Sequence, residues 1–203
     1  MNIDEAYVQQ QYEGNRLGPE HGAGYMEIEL RFIREFLRFV KQDARGAASV
    51  LDVGCRTGYG LCELLRNLPV ARVAGLDIVP EFVEEARAYA PEAEVTVGDI
   101  CALPYPDRAF DWVYCSQTLE HALDCDAAVR ELSRVAARGL YISVPLEQDN
   151  PELRTTNPSH HTFLADPLDW LMKWHGTPWR LTYAAFWAQF NYFNFVLVRT
   201  EVA

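Results

Sequence analysis

The stretch VLDVGCRTGYG, Val50 to Gly60, dictates more about this chain than any other. An apolar run that needs burial is followed at once by a glycine-rich turn and then by residues fit to begin a helix. Strand, turn and helix in that order open a unit whose parallel strands are joined through helices. Such a turn lets backbone approach a ligand closely. The dinucleotide fingerprint G-x-G-x-x-G, counted from Gly54, places its second glycine on Arg56 and its third on Tyr59, so two of three positions fail. A pyrophosphate wants converging amides at a helix N-terminus. Here Asp52 stands just before the turn, where a carboxylate disfavours phosphate and suits an ammonium.

The residues around this turn repeat its logic. SVLDV (49–53), RVAGLD (72–77), AEVTVGD (93–99), AFDWVYCS (109–116) and LYISVP (140–145) read as strands. Helices are expected between them over about 59–68, 80–90 and 126–137, with Pro80 in the first turn of the second. Upstream, residues 25–41 set Tyr25, Ile28, Phe32, Ile33, Phe36, Leu37 and Val40 on one stripe of an amphipathic helix, preceded by a polar arm carrying Tyr7, Tyr12, Arg16 and His21. Downstream comes a long polar segment with four prolines, then a short helix (PLDWLMKW) and two aromatic-rich strands. The expected fold is α/β: a doubly wound, seven-stranded, mostly parallel sheet with its last strand antiparallel and an N-terminal helical cap. One domain is expected over 1–203, made of an arm and cap helix (1–45), a ligand-binding core (49–145), a lid loop (146–166), and a closing helix and strands (167–203).

Composition narrows the function. With 203 residues, 49% of them hydrophobic, the chain has enough to build a real core. No apolar run approaches the ~18–20 residues that cross a bilayer, and the N-terminus lacks the basic start and apolar block of a signal peptide. Neither membrane insertion nor export is expected. The five cysteines are scattered, without a CxxC pair, which fits burial in a reducing cytoplasm rather than a disulfide or zinc framework. The net charge of −11, with no cluster of Lys and Arg, argues against nucleic acid as a partner.

Acidic residues then mark successive strand ends, where open α/β sheets bind ligands. Asp77 lies 23 residues after Gly54, the usual place for a carboxylate that accepts from ribose hydroxyls. Asp99 is placed to accept from an exocyclic amine such as that of adenine, with Ile78 and Ile100 offering apolar faces to the ring. The ligand assembled this way is an adenosine bearing an amino-acid tail, and S-adenosylmethionine is that molecule.

VLDVGCRTGYG, GLDIVPEFVEEAR, VGDICALPYPDRAFDWVYCSQTLEH and AAVRELSRVAARGLYISVP resemble, in order and spacing, the core of class I S-adenosylmethionine-dependent methyltransferases, nearest to the branch acting on quinones, lipids, sugars and other small metabolites. The resemblance covers roughly Ser49–Pro145. It implies Asp52, Gly54, Cys55 and Gly58 around the methionine moiety, Asp77 at the ribose, and Ile78, Asp99 and Ile100 at the adenine. Ser116 and Gln117 would lie near the transferring methyl. Arg56 departs from the pattern, which commonly has a third glycine there, and is read as an extra partner for the cofactor carboxylate. Glu120 and His121 stand where the family often keeps such a pair.

Methylating a hydroxyl requires removal of its proton, and histidine is the usual base near neutrality. His160 and His161, in the lid, and His121 are the candidate catalytic residues. His160, His161 and Asp166 lack distinctive metal-ligand spacing, so no metal is expected. The reading is methyl transfer to a small-molecule acceptor at oxygen, with S-adenosylhomocysteine as product. Two alternatives stay open: a non-catalytic relative that keeps the fold as an interaction module, and an NAD-dependent oxidoreductase. The aromatic tail is expected to be mostly core, and it leaves a homodimer contact open.

Overall fold

The strand expected at Ser49 forms, and Val50, Leu51 and Val53 along it are fully buried. The computed structural model describes residues 5–15, 22–43, 46–69, 72–147 and 159–200. The chain divides into two compact units, Met1–Asp99 and Ile100–Ala203.

The first unit runs α1 (Glu5–Asn15), α2 (Gly22–Gln42), β1 (Ser49–Val53), α3 (Tyr59–Asn67), β2 (Arg72–Asp77), α4 (Pro80–Tyr89) and β3 (Glu94–Val97). Its strands lie in the order β3-β2-β1 and are all parallel, with Val53 opposite Leu76 and Asp77 opposite Val97. Parallel strands covered on both faces read as continuous apolar runs, as β1 and β2 do. The stripe of α2 buries Phe32, Ile33, Phe36, Leu37 and Val40, each worth about 1.5–3 kcal/mol over exposure. The segment expected to be a polar arm is a helix, α1, with Tyr7 and Gln11 buried. Tyr12 packs on Phe82 of α4 with ring centroids 5.5 Å apart. Arg16 and His21 lie outside the described residues.

The second unit holds β4 (Phe110–Ser116), α5 (Cys125–Val135), β5 (Ala136–Pro145), α6 (Pro167–Met172), β6 (Trp179–Trp187) and β7 (Tyr192–Arg199). Short 3-10 turns cover Ile100–Ala102 and Leu119–His121. The strand order is β4-β5-β7-β6, with β4 and β5 parallel and β7 antiparallel to both of its neighbours. The seven-stranded, mostly parallel architecture with its last strand antiparallel is the expected one. α5 stops at Val135, short of the expected 137, because Ala136 pairs with Phe110 and begins β5. Trp170, Trp174, Trp179, Phe193 and Phe195 are core, as expected of the aromatic tail. The middle of the expected lid, 148–158, lies outside the described residues. Among the described residues no helix is long and apolar enough to cross a membrane, and all five cysteines are free thiols.

Candidate active site

β1 ends in the turn Gly54–Gly58, whose shape depends on left-handed backbone: φ is 81° at Gly54, 50° at Arg56 and 84° at Gly58. Arg56 shows that the position taken by glycine in the family pattern keeps a glycine-like conformation here even with a side chain. The carbonyl of Leu76 accepts from the amides of Gly54 (2.7 Å) and Cys55 (3.0 Å). Asp77, at the end of β2, completes the tether. Its Oδ2 accepts from the Arg56 amide at 2.9 Å and its Oδ1 from the Val79 amide at 3.0 Å. Burial raises the Asp77 pKa, and the amides of Val79 and Arg56 pull against that rise.

Asp52 is buried one residue before the end of β1. A Cβ on Gly60 would stand 2.8 Å from its Oδ2 and 3.6 Å from Glu29 Oε1, so the bare glycine leaves room for a carboxylate beneath the first turn of α3. Burial, then Glu29, then Asp77 hold the Asp52 carboxyl well above its usual range. Two buried acids, Asp52 and Asp77, thus crowd one turn with the half-buried Glu29 beside Asp52. A ligand carrying an ammonium and a sulfonium answers that charge, and a pyrophosphate would worsen it. The residues present fit S-adenosylmethionine. Glu29 escaped the sequence reading because it lies on α2, where a lone acid among alternating charges reads as solvated surface.

Cys55 is buried, and burial followed by Asp52 and Asp77 keeps it a thiol, as a small packing residue. The Arg56 guanidinium lies over the Phe82 ring, 5.6 Å from its centroid. Gly58 packs on α4: a Cβ there would meet the Ala86 backbone at 2.9 Å. Ile78 is half-buried just past β2, and Asp99 half-buried just past β3.

The remaining expected site residues belong to the second unit. Ile100 is buried in a 3-10 turn. Ser116 ends β4 and is buried. Gln117 follows with φ 51°, and its Nε2 donates to Ser143 Oγ at 2.9 Å. Ser143 Oγ in turn donates to Asn194 Oδ1 at 2.8 Å.

Glu120 and His121 sit on the Leu119–His121 turn, against which a distant segment is clamped. The amides of His161 and Thr162 donate to the Glu120 carbonyl at 2.8 and 3.0 Å, and His121 Nδ1 meets the Ser159 carbonyl at 2.9 Å. His160 is thereby laid edge-on against His121, ring centroids 4.6 Å apart, with its Nδ1 2.7 Å from Glu147 Oε2. Burial pulls His121 down to about 3, which keeps it neutral. Burial pushes Glu120 up to about 7, opposed by His160. Burial works against the His160 cation, but the Glu147 hydrogen bond and the Glu120 carboxylate outweigh it and raise its pKa. Of the three expected histidines, His121 and His160 come together, and His161 is exposed. The roles of Glu120 and Glu147 escaped the sequence reading.

A family model described as a methyltransferase domain matches residues 51–144. Malonyl-[acyl-carrier protein] O-methyltransferase of Halorhodospira halophila is 40% identical over 91 residues, covering 43% of this chain and 31% of that protein. Ajmaline N-methyltransferase of Rauvolfia serpentina is 36% identical over 130 residues, covering 60% of this chain and 44% of its own. The chain therefore spans less than half the length of these curated relatives. Among solved structures, magnesium protoporphyrin IX methyltransferase of Synechocystis, with bound SAM, superposes with a TM-score of 0.69 at 17% identity, covering 98% of this chain and 99% of that one. That likeness is one of fold.

Proposed function

We propose that the chain carries the core of a class I S-adenosylmethionine-dependent methyltransferase and transfers a methyl group from that cofactor to an oxygen of a small-molecule acceptor. The observation that carries the reading is the pair of buried acids at the glycine turn, Asp52 and Asp77, with the half-buried Glu29 beside Asp52, which calls for a cationic ligand.

When bound, S-adenosylmethionine supplies an electrophilic methyl on a sulfonium. Asp52 receives the ammonium, and Gly54, Cys55 and Gly58 let backbone close on the methionine tail. Arg56 offers its guanidinium to the tail's carboxylate, and Asp77 accepts from the ribose hydroxyls. Ile78 covers the adenine while Asp99 accepts from its amine. Because the donor is already reactive, alignment and exclusion of water are the protein's main tasks.

The oxygen preference rests on His160. With Glu147 holding a proton on Nδ1, Nε2 is free to take the proton from an acceptor hydroxyl. His121 holds Ser159, and so the segment that carries His160, in place. The free thiols support a cytoplasmic setting, and the exposed Leu181 and Phe186 on edge strand β6 support self-association.

Transfer of tritium from methyl-labelled cofactor to a panel of hydroxylated and amine-bearing small molecules tests the assignment. Label on a hydroxylated acceptor, with equimolar S-adenosylhomocysteine, is expected. Label on amines alone would move the reaction to nitrogen, and cofactor binding without transfer to any acceptor would favour an interaction module.

A further inference from the structure

The pairing of Glu120, His121 and His160 has a feature that general-base chemistry does not use. Each histidine makes its outer hydrogen bond through Nδ1, His121 to the Ser159 carbonyl and His160 to the Glu147 carboxylate. A carbonyl only accepts, so the His121 Nδ1 carries the proton and its Nε2 carries the lone pair. The carboxylate imposes the same tautomer on His160. A ring nitrogen of each histidine and a Glu120 carboxylate oxygen converge, all three within 4.8 Å of one another, and His121 Nε2 stands 3.9 Å from Glu120 Oε1. Glu120 is 1% exposed, and its Oε2 makes no hydrogen bond among the described residues. Leaving a buried carboxylate oxygen unanswered is costly.

We infer that Glu120, His121 and His160 ligate a first-row divalent transition-metal ion through one carboxylate oxygen and two Nε2 atoms, oriented from outside by Glu147 and the Ser159 carbonyl. Metal-bound histidines characteristically give their other ring N–H to a carboxylate or a backbone carbonyl, and both do so here. Two imidazoles with one carboxylate suit such ions better than Mg²⁺ or Ca²⁺, which take oxygen ligands. The charges also balance: Glu120 and Glu147 neutralise a dication. At bond lengths of about 2.0–2.2 Å, two ligands on one ion stand about 3–4 Å apart, so the set closes by side-chain movement of about 1 Å. Three protein ligands leave positions open, as in catalytic rather than structural sites.

The inference extends the proposed reaction and names what its acceptor would present. An oxygen ligand in an open position loses its proton more readily on the metal. His160 Nε2 is then a ligand, and the proton passes to solvent. Acceptors with a hydroxyl able to bind a metal are favoured.

The test is titration of metal-stripped protein with Co²⁺ alone, followed by its visible d–d absorption. One ion per chain is expected, with affinity reduced at least tenfold by Glu120→Gln and by His160→Gln, and 10–100-fold by Glu147→Gln, which touches no metal. Circular dichroism checks that each variant is folded. Should a variant unfold, the wild-type stoichiometry and spectrum decide alone. No Co²⁺ binding by the wild type would overturn the inference, as would binding undiminished in the folded Glu120→Gln and His160→Gln variants. Calorimetry of S-adenosylhomocysteine on the same stripped protein probes the cofactor reading separately, so the two ideas fail independently.

Discussion

The Asp77 carboxylate accepts the backbone amide of Arg56 at 2.9 Å, so the end of β2 sets the bend of a turn 21 residues earlier in the chain. The same carboxylate holds the Val79 amide, at the start of α4. One side chain therefore shapes the glycine turn, and in the proposed site the same side chain would accept from the cofactor ribose.

Asp77→Asn separates these roles poorly, which makes it informative. An amide side chain offers one acceptor oxygen where two amides need one each. One buried N–H loses its partner, at a cost of about 1–3 kcal/mol in urea unfolding. Affinity for S-adenosylhomocysteine falls by about tenfold or more in calorimetry, since a charge-assisted contact is also lost.

Gly58 and Gly60, two residues apart, respond differently to alanine. At Gly58, with φ 84°, the new Cβ meets the Ala86 backbone at 2.9 Å, which cannot yield cheaply. Gly58→Ala therefore lowers stability by about 1–3 kcal/mol, read as a fall in Tm. At Gly60 the new Cβ meets the end of the Asp52 side chain at 2.8 Å. Gly60→Ala is expected to lose more in ligand affinity than in stability. Equal Tm losses in the two variants would count against this account.

The contrast between those glycines also shows what the sequence made legible. Asp52, Asp77 and the glycine turn sit within a continuous run of strand, turn and helix, where local periodicity and spacing carry the information. β2 runs from Arg72 to Asp77 as read. α1 was not legible: it has no apolar stripe, and Tyr7 and Gln11 are buried by tertiary packing. The Glu120–His160 pairing was hidden for a different reason. Its members are 40 positions apart in the sequence, and backbone hydrogen bonds from His161 and Thr162 to Glu120 bring them together. Spacing around His160 and Asp166 pointed to no metal set, since the other ligands lie on another turn.

The stability of the ligand-free chain is predicted to depend on pH through Asp52. Burial, then Glu29 and Asp77, raise its pKa, so the folded chain binds that proton more tightly than the unfolded chain. The penalty is absent below the usual carboxylate pKa, about 4. It grows as pH rises from there through the raised value, so stability falls with pH. Asp77 contributes with the same sign. Asp52→Asn should flatten the slope without abolishing it, in denaturant unfolding across that range. An unchanged slope would remove Asp52 from the account.

Asn194 is fully buried and accepts the Ser143 hydroxyl at 2.8 Å, which itself accepts Gln117 Nε2 at 2.9 Å. Asn194→Ala strands that hydroxyl and loosens Gln117, held at φ 51°. A loss of about 1–3 kcal/mol is expected in thermal or urea unfolding.

The central claim is that the glycine turn, with Asp52 and Asp77, holds S-adenosylmethionine rather than a dinucleotide. Calorimetric titration with S-adenosylhomocysteine tests it most directly, with NADH as the control ligand and Asp52→Asn in parallel. Micromolar binding of S-adenosylhomocysteine, weakened in Asp52→Asn and absent for NADH, is the predicted result. Binding of NADH without S-adenosylhomocysteine, or affinity untouched by loss of the Asp52 charge, would contradict it.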